Sequence, residues 1–214
     1  MATERPPLRH GILSMTLLFT VNVVGLAAQA PPPPSAWSHF VDSAQHAWTG
    51  PDSRLLSSSE RGDFTGVRYF DYDASFALPA AYRPILGADT IAVPTTRGRT
   101  SRYLPIATVE FAIADTSARL TVYRGLDPWS AMDTHFLMFR DASNGAGSYP
   151  GGRYLELEEV DEAAATATVD FNFAYNPYCA YSPRYSCPVP PAGNEVPVRI
   201  DAGAAYGDPD RRSD

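Results

Sequence analysis

The chain contains no lysine: all 17 of its basic residues are arginine. That absence removes Schiff-base catalysis, the phosphate-loop lysine and covalent pyridoxal chemistry. Cysteine is scarce, with Cys179 and Cys187 alone in 214 residues, and histidine is limited to His10, His39, His46 and His135. Two cysteines without well-spaced histidines do not fill the four positions of a zinc site, so no metal is expected, and no motif calls for a cofactor. There is no Gly-x-Ser-x-Gly elbow for a serine hydrolase. The glycines at 145, 147, 151 and 152 lack the following helix and lysine of a phosphate cradle and are expected in a hairpin loop. Positive charge is in deficit too. The net charge is −7, and setting aside residues 1–30, with one acid and two bases, makes it −8. Such a chain has no electrostatic footprint for nucleic acid.

What is present begins with an export pattern. Arg5, Arg9 and His10 precede an apolar run from Ile12 to about Ala28, which closes on Leu-Ala-Ala-Gln-Ala. This is the layout of a secretory signal peptide over 1–30. The run falls short of the roughly 20 residues of a comfortable membrane span, so the alternative is an uncleaved anchor at 12–28, the one membrane contact expected. The expectation is a periplasmic or secreted protein. Pro31 to Pro34 form a stiff spacer.

A single β-rich domain is expected from 35 to 203, followed by a frayed tail at 204–214. Ser35 is placed to cap a helix in which Trp37, Phe40, Val41, Ala44 and Trp48 recur at helical period, up to Gly50-Pro51. Short β-branched or aromatic runs follow, separated by turn clusters. They lie at Val67–Tyr72, Ser75–Leu78, Thr90–Pro94, Thr108–Ala114, Arg119–Arg124, Thr134–Phe139, Arg153–Leu157, Ala167–Phe173 and Glu195–Ile200. This pattern predicts a mainly β fold: an antiparallel sandwich or barrel-like domain with an N-terminal helix.

The densest stretch is DFNFAYNPYCAYSPRYSCPVPP, residues 170–191. Its prolines exclude helix and regular strand, and a loop of that length in a compact domain is usually functional or disordered. Period-2 alternation sets Val169, Phe171 and Phe173 toward the core, and Asp170 and Asn172 away from it. Arg153 shares a face with Leu155 and Leu157 and therefore needs a partner. A buried polar cluster of Arg140, Asp141, Arg153 and Asp170 under the loop is the expectation. The surrounding candidates are Tyr154, Asn172, Tyr175, Asn176 and Asn194. A network that merely pins the loop is the alternative. In an exported chain, Cys179 and Cys187 are expected as a disulfide, worth roughly 2.5 kcal/mol on the chain-entropy estimate; two free thiols are the rival.

Four blocks then carry a family resemblance: FTGVRYFDYD (64–73), FRDASNGAGSYPGGRYLEL (139–157), DFNFAYNPYCAY (170–181) and CPVPPAGNEVPVRIDAG (187–203). In content and order they resemble domain-of-unknown-function family 1684, a bacterial and archaeal family that implies kinship without an activity. Ala204 stands where the family usually has glutamate after Ala-Gly, and Ser148 replaces its threonine. The leading functional expectation is a non-catalytic domain that binds a small molecule or partner at the 140–194 surface. The alternatives are a hydrolase-like enzyme using Asp141 or Asp170 with Arg153, and a structural envelope protein without ligand.

Overall fold

The computed structural model describes residues 33–128 and 134–207. The export segment expected at 1–30 lies outside them. No helix among the described residues is long and apolar enough to cross a membrane.

Helix α1 spans Ser35–Thr49. Pro34, not Ser35, occupies the capping position, and no side chain caps the helix; Ser35 is its first residue. It stops where the Gly50 N–H bonds the His46 carbonyl and Pro51 follows. A short helix α2, Ser58–Arg61, carries a capping box made by Ser57 and Glu60, a start signal of the Ser-x-x-Glu kind that the strand-oriented reading passed over.

Among the described residues eleven strands follow: β1 (Arg68–Tyr69), β2 (Ala77–Pro84), β3 (Ile91–Pro94), β4 (Thr100–Ile113), β5 (Thr116–Gly125), β6 (His135–Asp141), β7 (Arg153–Leu157), β8 (Val160–Asp161), β9 (Thr166–Asp170), β10 (Glu195–Val196) and β11 (Ala204–Ala205). The main sheet runs β10-β6-β5-β4-β2-β9-β8, with β3 also on β4 and β7 also on β6. All its pairings are antiparallel except β10 on β6. The fold is thus mainly antiparallel β with one N-terminal helix, its sheet curled into a half-barrel.

Curling gives the sheet two buried faces, and β4 serves both. Pro105 pairs with Tyr123 and Ala107 with Val122, leaving Ile106 as an extra residue. An extra residue reverses the side-chain alternation. Tyr103, before the bulge, therefore joins Tyr123, Phe136, Met138 and Tyr154 on the concave face. Val109, Phe111 and Ile113, after it, join Leu120, Leu137, Phe139, Leu155 and Phe171 in the main core.

The C-terminal tail departs from expectation. Ala204 and Ala205 are buried, and they pair antiparallel with Tyr69 and Arg68 respectively. The turn into β11 needs Gly203, whose φ is +73°; an added Cβ there would sit 2.6 Å from the Phe171 and Ala174 carbonyl oxygens.

Candidate functional site

Residues 174–191 form a strap across the open side of the half-barrel. At one end Tyr175 and Tyr154 exchange backbone hydrogen bonds of 2.8 and 2.9 Å. At the other, the Val189 N–H bonds the Pro94 carbonyl and the Thr96 N–H bonds that of Cys187, both at 2.9 Å. The strap is tied between these points as well. The Ser182 hydroxyl donates to Glu60 at 2.6 Å, the Tyr185 hydroxyl to the Leu55 carbonyl at 2.9 Å, and Arg97 to the Pro183 carbonyl at 2.7 Å. These bonds hold Glu60 down at a pKa of about 2, with the Ser182 hydroxyl the leading cause, ahead of the Ser57 hydroxyl and N–H. Order here comes from side-chain and backbone bonds to distant segments, not from regular structure.

Between strap, concave face and α1 lies a cavity of about 900 Å³. Its floor carries Tyr103, Phe136, Tyr154 and Glu156, its strap wall Tyr175, Tyr178, Tyr181 and Tyr185, and its roof Phe40, Ala44 and Trp48. The rings meet mostly edge to face: Phe136 on Tyr154 at 5.0 Å, Tyr154 on Tyr175 at 5.8 Å, Trp48 on Tyr181 at 4.8 Å. Arg97, Arg99 and Arg184 border the same space.

Burial pushes the hydroxyls of Tyr69, Tyr154, Tyr175 and Tyr181 above their ordinary range, Tyr181 to about 12. An unfolded tyrosine ionises near pH 10. Their contribution to stability is therefore complete below about pH 10 and is lost as the pH rises toward the folded values. In an alkaline titration followed by tyrosinate absorbance and circular dichroism, these rings are expected to ionise together with unfolding. Full ionisation of all 12 tyrosines with the fold intact would refute this.

The structure sorts the expected site residues into three places. Tyr154, Tyr175 and Asn176 line the cavity. Arg153 and Asp141 meet in the main core at 2.7 Å with both side chains fully buried. The other two members of the expected cluster are elsewhere, which corrects it. Arg140 lies on the opposite face, half-buried and 3.8 Å from Glu195. Asp170 accepts bonds from the Asn172 backbone N–H at 3.0 Å and side-chain amide at 2.8 Å. Its pKa is raised, by burial first, with those two bonds opposing. Asn172 in turn clamps the backbone of Asp73 through both ends of its amide.

Asn194 is structural in the same way. Among the described residues strands β5 and β6 pair at Tyr123 and Phe136 alone, and toward Thr121 and Met138 the Asn194 side chain substitutes for the ladder. It accepts from the Thr121 N–H and donates to the Thr121 and Met138 carbonyls.

The hydrolase alternative loses its machinery here. Both Asp141 oxygens are committed, one to the Ser143 and Ile200 N–H groups and one to Arg153. Neither Asp141 nor Asp170 lines the cavity.

The expected disulfide is also corrected: Cys179 and Cys187 are free thiols. Spacing along the chain limits loop size but does not set the distance between the sulfurs. Here the Cys179 N–H donates to the Cys187 sulfur at 3.2 Å, and the Tyr149 hydroxyl lies 3.8 Å from the Cys179 sulfur. The hydrogen bond from Cys187 lowers the Cys179 pKa to about 6, while the same bond and burial push Cys187 up. Two thiols are expected on titration of the denatured, unreduced protein. In the native protein at neutral pH, Cys179 is expected to alkylate first; a protein with no titratable thiol would contradict the arrangement.

Sequence reasoning found Tyr154 and Tyr175 but missed Tyr103 and Phe136 on the concave face, Glu156 and the arginine border. The signal for Phe136 was present, since Phe136 and Met138 alternate with Leu137 and Phe139; both sets are apolar because both faces are covered.

The architecture defines a small half-barrel β domain with an aromatic cavity closed by a helix and a strap. The chain belongs to the family described as protein of unknown function (DUF1684), whose model matches residues 62–205. It is similar to a protein from Haloarcula marismortui, solved by solution NMR and described as uncharacterized. The two are 34% identical, with a TM-score of 0.62 over 79% of this chain and 92% of the other. No curated protein matches the chain.

Proposed function

We propose that this domain is a non-catalytic binding protein for a small organic molecule, held in the cavity between α1, the concave face and the 174–188 strap. The carrying observation is the cavity itself. Its volume of about 900 Å³ falls in the range of small-molecule sites, roughly 300–1,000 Å³. Aromatic rings are the largest class in its walls, and polar groups such as Glu156, Asn176 and the bordering arginines stand among them, a mix that combines affinity with orientation. The N-terminal pattern supports export of this domain, with 1–30 as the signal. Detection of the chain in a periplasmic or secreted fraction with its N-terminus near Pro31 checks that part.

The test of binding is a thermal-shift screen of small aromatic and amphiphilic compounds. A ligand at a hundred times its Kd stabilises by about 2.7 kcal/mol, a shift of several degrees for a domain of this size. Ala44, on the cavity roof, offers a plug: Ala44→Trp is expected to keep the fold and abolish the shift. A ligand that binds the plugged variant equally well would place binding elsewhere.

A further inference from the structure

Among the described residues two shielded carboxylates, Glu156 and Asp170, have no cationic partner, and of the two Glu156 alone lines the cavity. Asp141 has Arg153, Asp127 has Arg102, Glu110 has Arg119, and Glu60 has Arg184 and the Ser182 hydroxyl. The polar contact of Glu156 is the Tyr175 hydroxyl, which donates to Oε1 at 2.8 Å. It is nevertheless half-buried on the cavity floor.

Its surroundings are aromatic. Phe136 is its cross-strand partner, Tyr154 lies two residues before it on the same face, and Tyr175 holds it. The Tyr178 hydroxyl feels its charge, which adds to the effect of burial in raising that group. A carboxylate taken out of water without a counter-ion is costly, and aromatic faces attract organic cations. An anion ringed by aromatic side chains at the bottom of an open cavity matches a ligand ammonium group on both counts. The bordering arginines stand on other elements, Arg184 on the strap 3.6 Å from Glu60. Arg97 and Arg99 sit on the β3–β4 turn, with β5 and β6 between β4 and the strand of Glu156. Arginines on the β3–β4 turn and on the strap border the same cavity and disfavour a second cationic group on the ligand.

We infer that the cavity takes a monovalent organic cation, its alkylated ammonium seated between Glu156 and the Phe136, Tyr154 and Tyr175 rings. This rests on the binding reading above. Calorimetry with choline and with 3,3-dimethyl-1-butanol, its uncharged isostere, tests the charge alone. Wild-type protein is expected to bind choline at least tenfold more tightly than the isostere. Glu156→Gln is expected to erase that ratio by weakening choline while leaving the isostere unchanged. Equal binding of the two by the wild type overturns the inference and leaves the cavity as a neutral site. Binding of neither compound overturns it too, and the screen above then decides the cavity on its own. The wild-type comparison needs no variant to fold. Retention of the full choline preference by Glu156→Gln would show that another group provides the charge.

Discussion

Replacing Asp141 with asparagine is expected to destabilise the domain by about 3–5 kcal/mol, the cost of leaving one partner of a buried ion pair uncompensated. Few domains have much more than twice that in total. The magnitude follows from how completely the pair is enclosed. Arg153 is fully buried beneath the Phe139 ring, its guanidinium carbon 5.5 Å from the ring centroid. Besides Asp141 it donates to the carbonyls of Ile200, at 2.9 Å, and Ala202. An asparagine in place of Asp141 keeps the shape but removes the charge. Arg153→Met belongs to the same class, because it strands the carboxylate and those carbonyls.

The pair also reaches the cavity indirectly. It positions residues 200–204, which lead into β11, and the Ala205 carbonyl there accepts the Asn176 amide at the root of the strap. Loss of the pair is therefore expected to expose the segment around Arg199 to trypsin as well as to lower the melting temperature by roughly 10 °C. The double variant Asp141→Leu with Arg153→Met is expected to cost less than the two single changes added, since no unpaired charge remains. A loss below about 1 kcal/mol for either single variant, on the scale of an exposed pair, would show that water reaches the site.

Replacing Asn194 with alanine is expected to cost about 3 kcal/mol. One N–H and two carbonyl groups lose their partner, and each unsatisfied buried group costs about 1–3 kcal/mol before water or backbone shifts offset part of it. Asn194 is 2% exposed, so little solvent is at hand to replace it. The readout is local as well as global: the Thr121 amide is expected to lose hydrogen-exchange protection while amides at the β4–β5 hairpin keep theirs. Asn194→Asp is expected to be destabilising too, because a carboxylate still accepts from Thr121 but faces two carbonyls that the amide had served. Unchanged protection of Thr121 in the alanine variant would mean that β5 and β6 close directly and that the asparagine is dispensable.

Much of this architecture is legible residue by residue. The stripe from Trp37 to Trp48 reads as a helix with one apolar face, and that face covers the cavity. Alternation placed Arg153 with Leu155 and Leu157 and made a buried partner obligatory, and Asp141 is adjacent in space. The same alternation sets Arg140 with Phe136 and Met138, on the other face, so the four-residue cluster joined residues that a pleated strand keeps apart. Asp170 failed for a different reason. The strand ends at it, and a short 3₁₀ turn follows from Phe171 to Phe173, so its side chain caps that turn instead of extending the face. Asn172 and Asn194 read as site residues because buried asparagines and ligand-binding asparagines look alike in sequence; what separates them is whether backbone or ligand fills their hydrogen bonds.

By itself the sequence determined helix α1, most of the longer strands and their faces, the irregular strap, and the family, because helical period, strand alternation and proline's missing donor are local properties. The tertiary structure alone decided what those faces enclose. Ile106 is an ordinary residue until β5 pairs around it, and only that pairing turns Tyr103 toward the cavity. The strap is held by contacts such as Ser182 with Glu60 and Ser186 with Thr95, 122 and 91 positions apart, and no local rule foresees them. The cysteines follow the same rule: the strap as a whole sets their contact, a hydrogen bond between two thiols, while their spacing records only loop length.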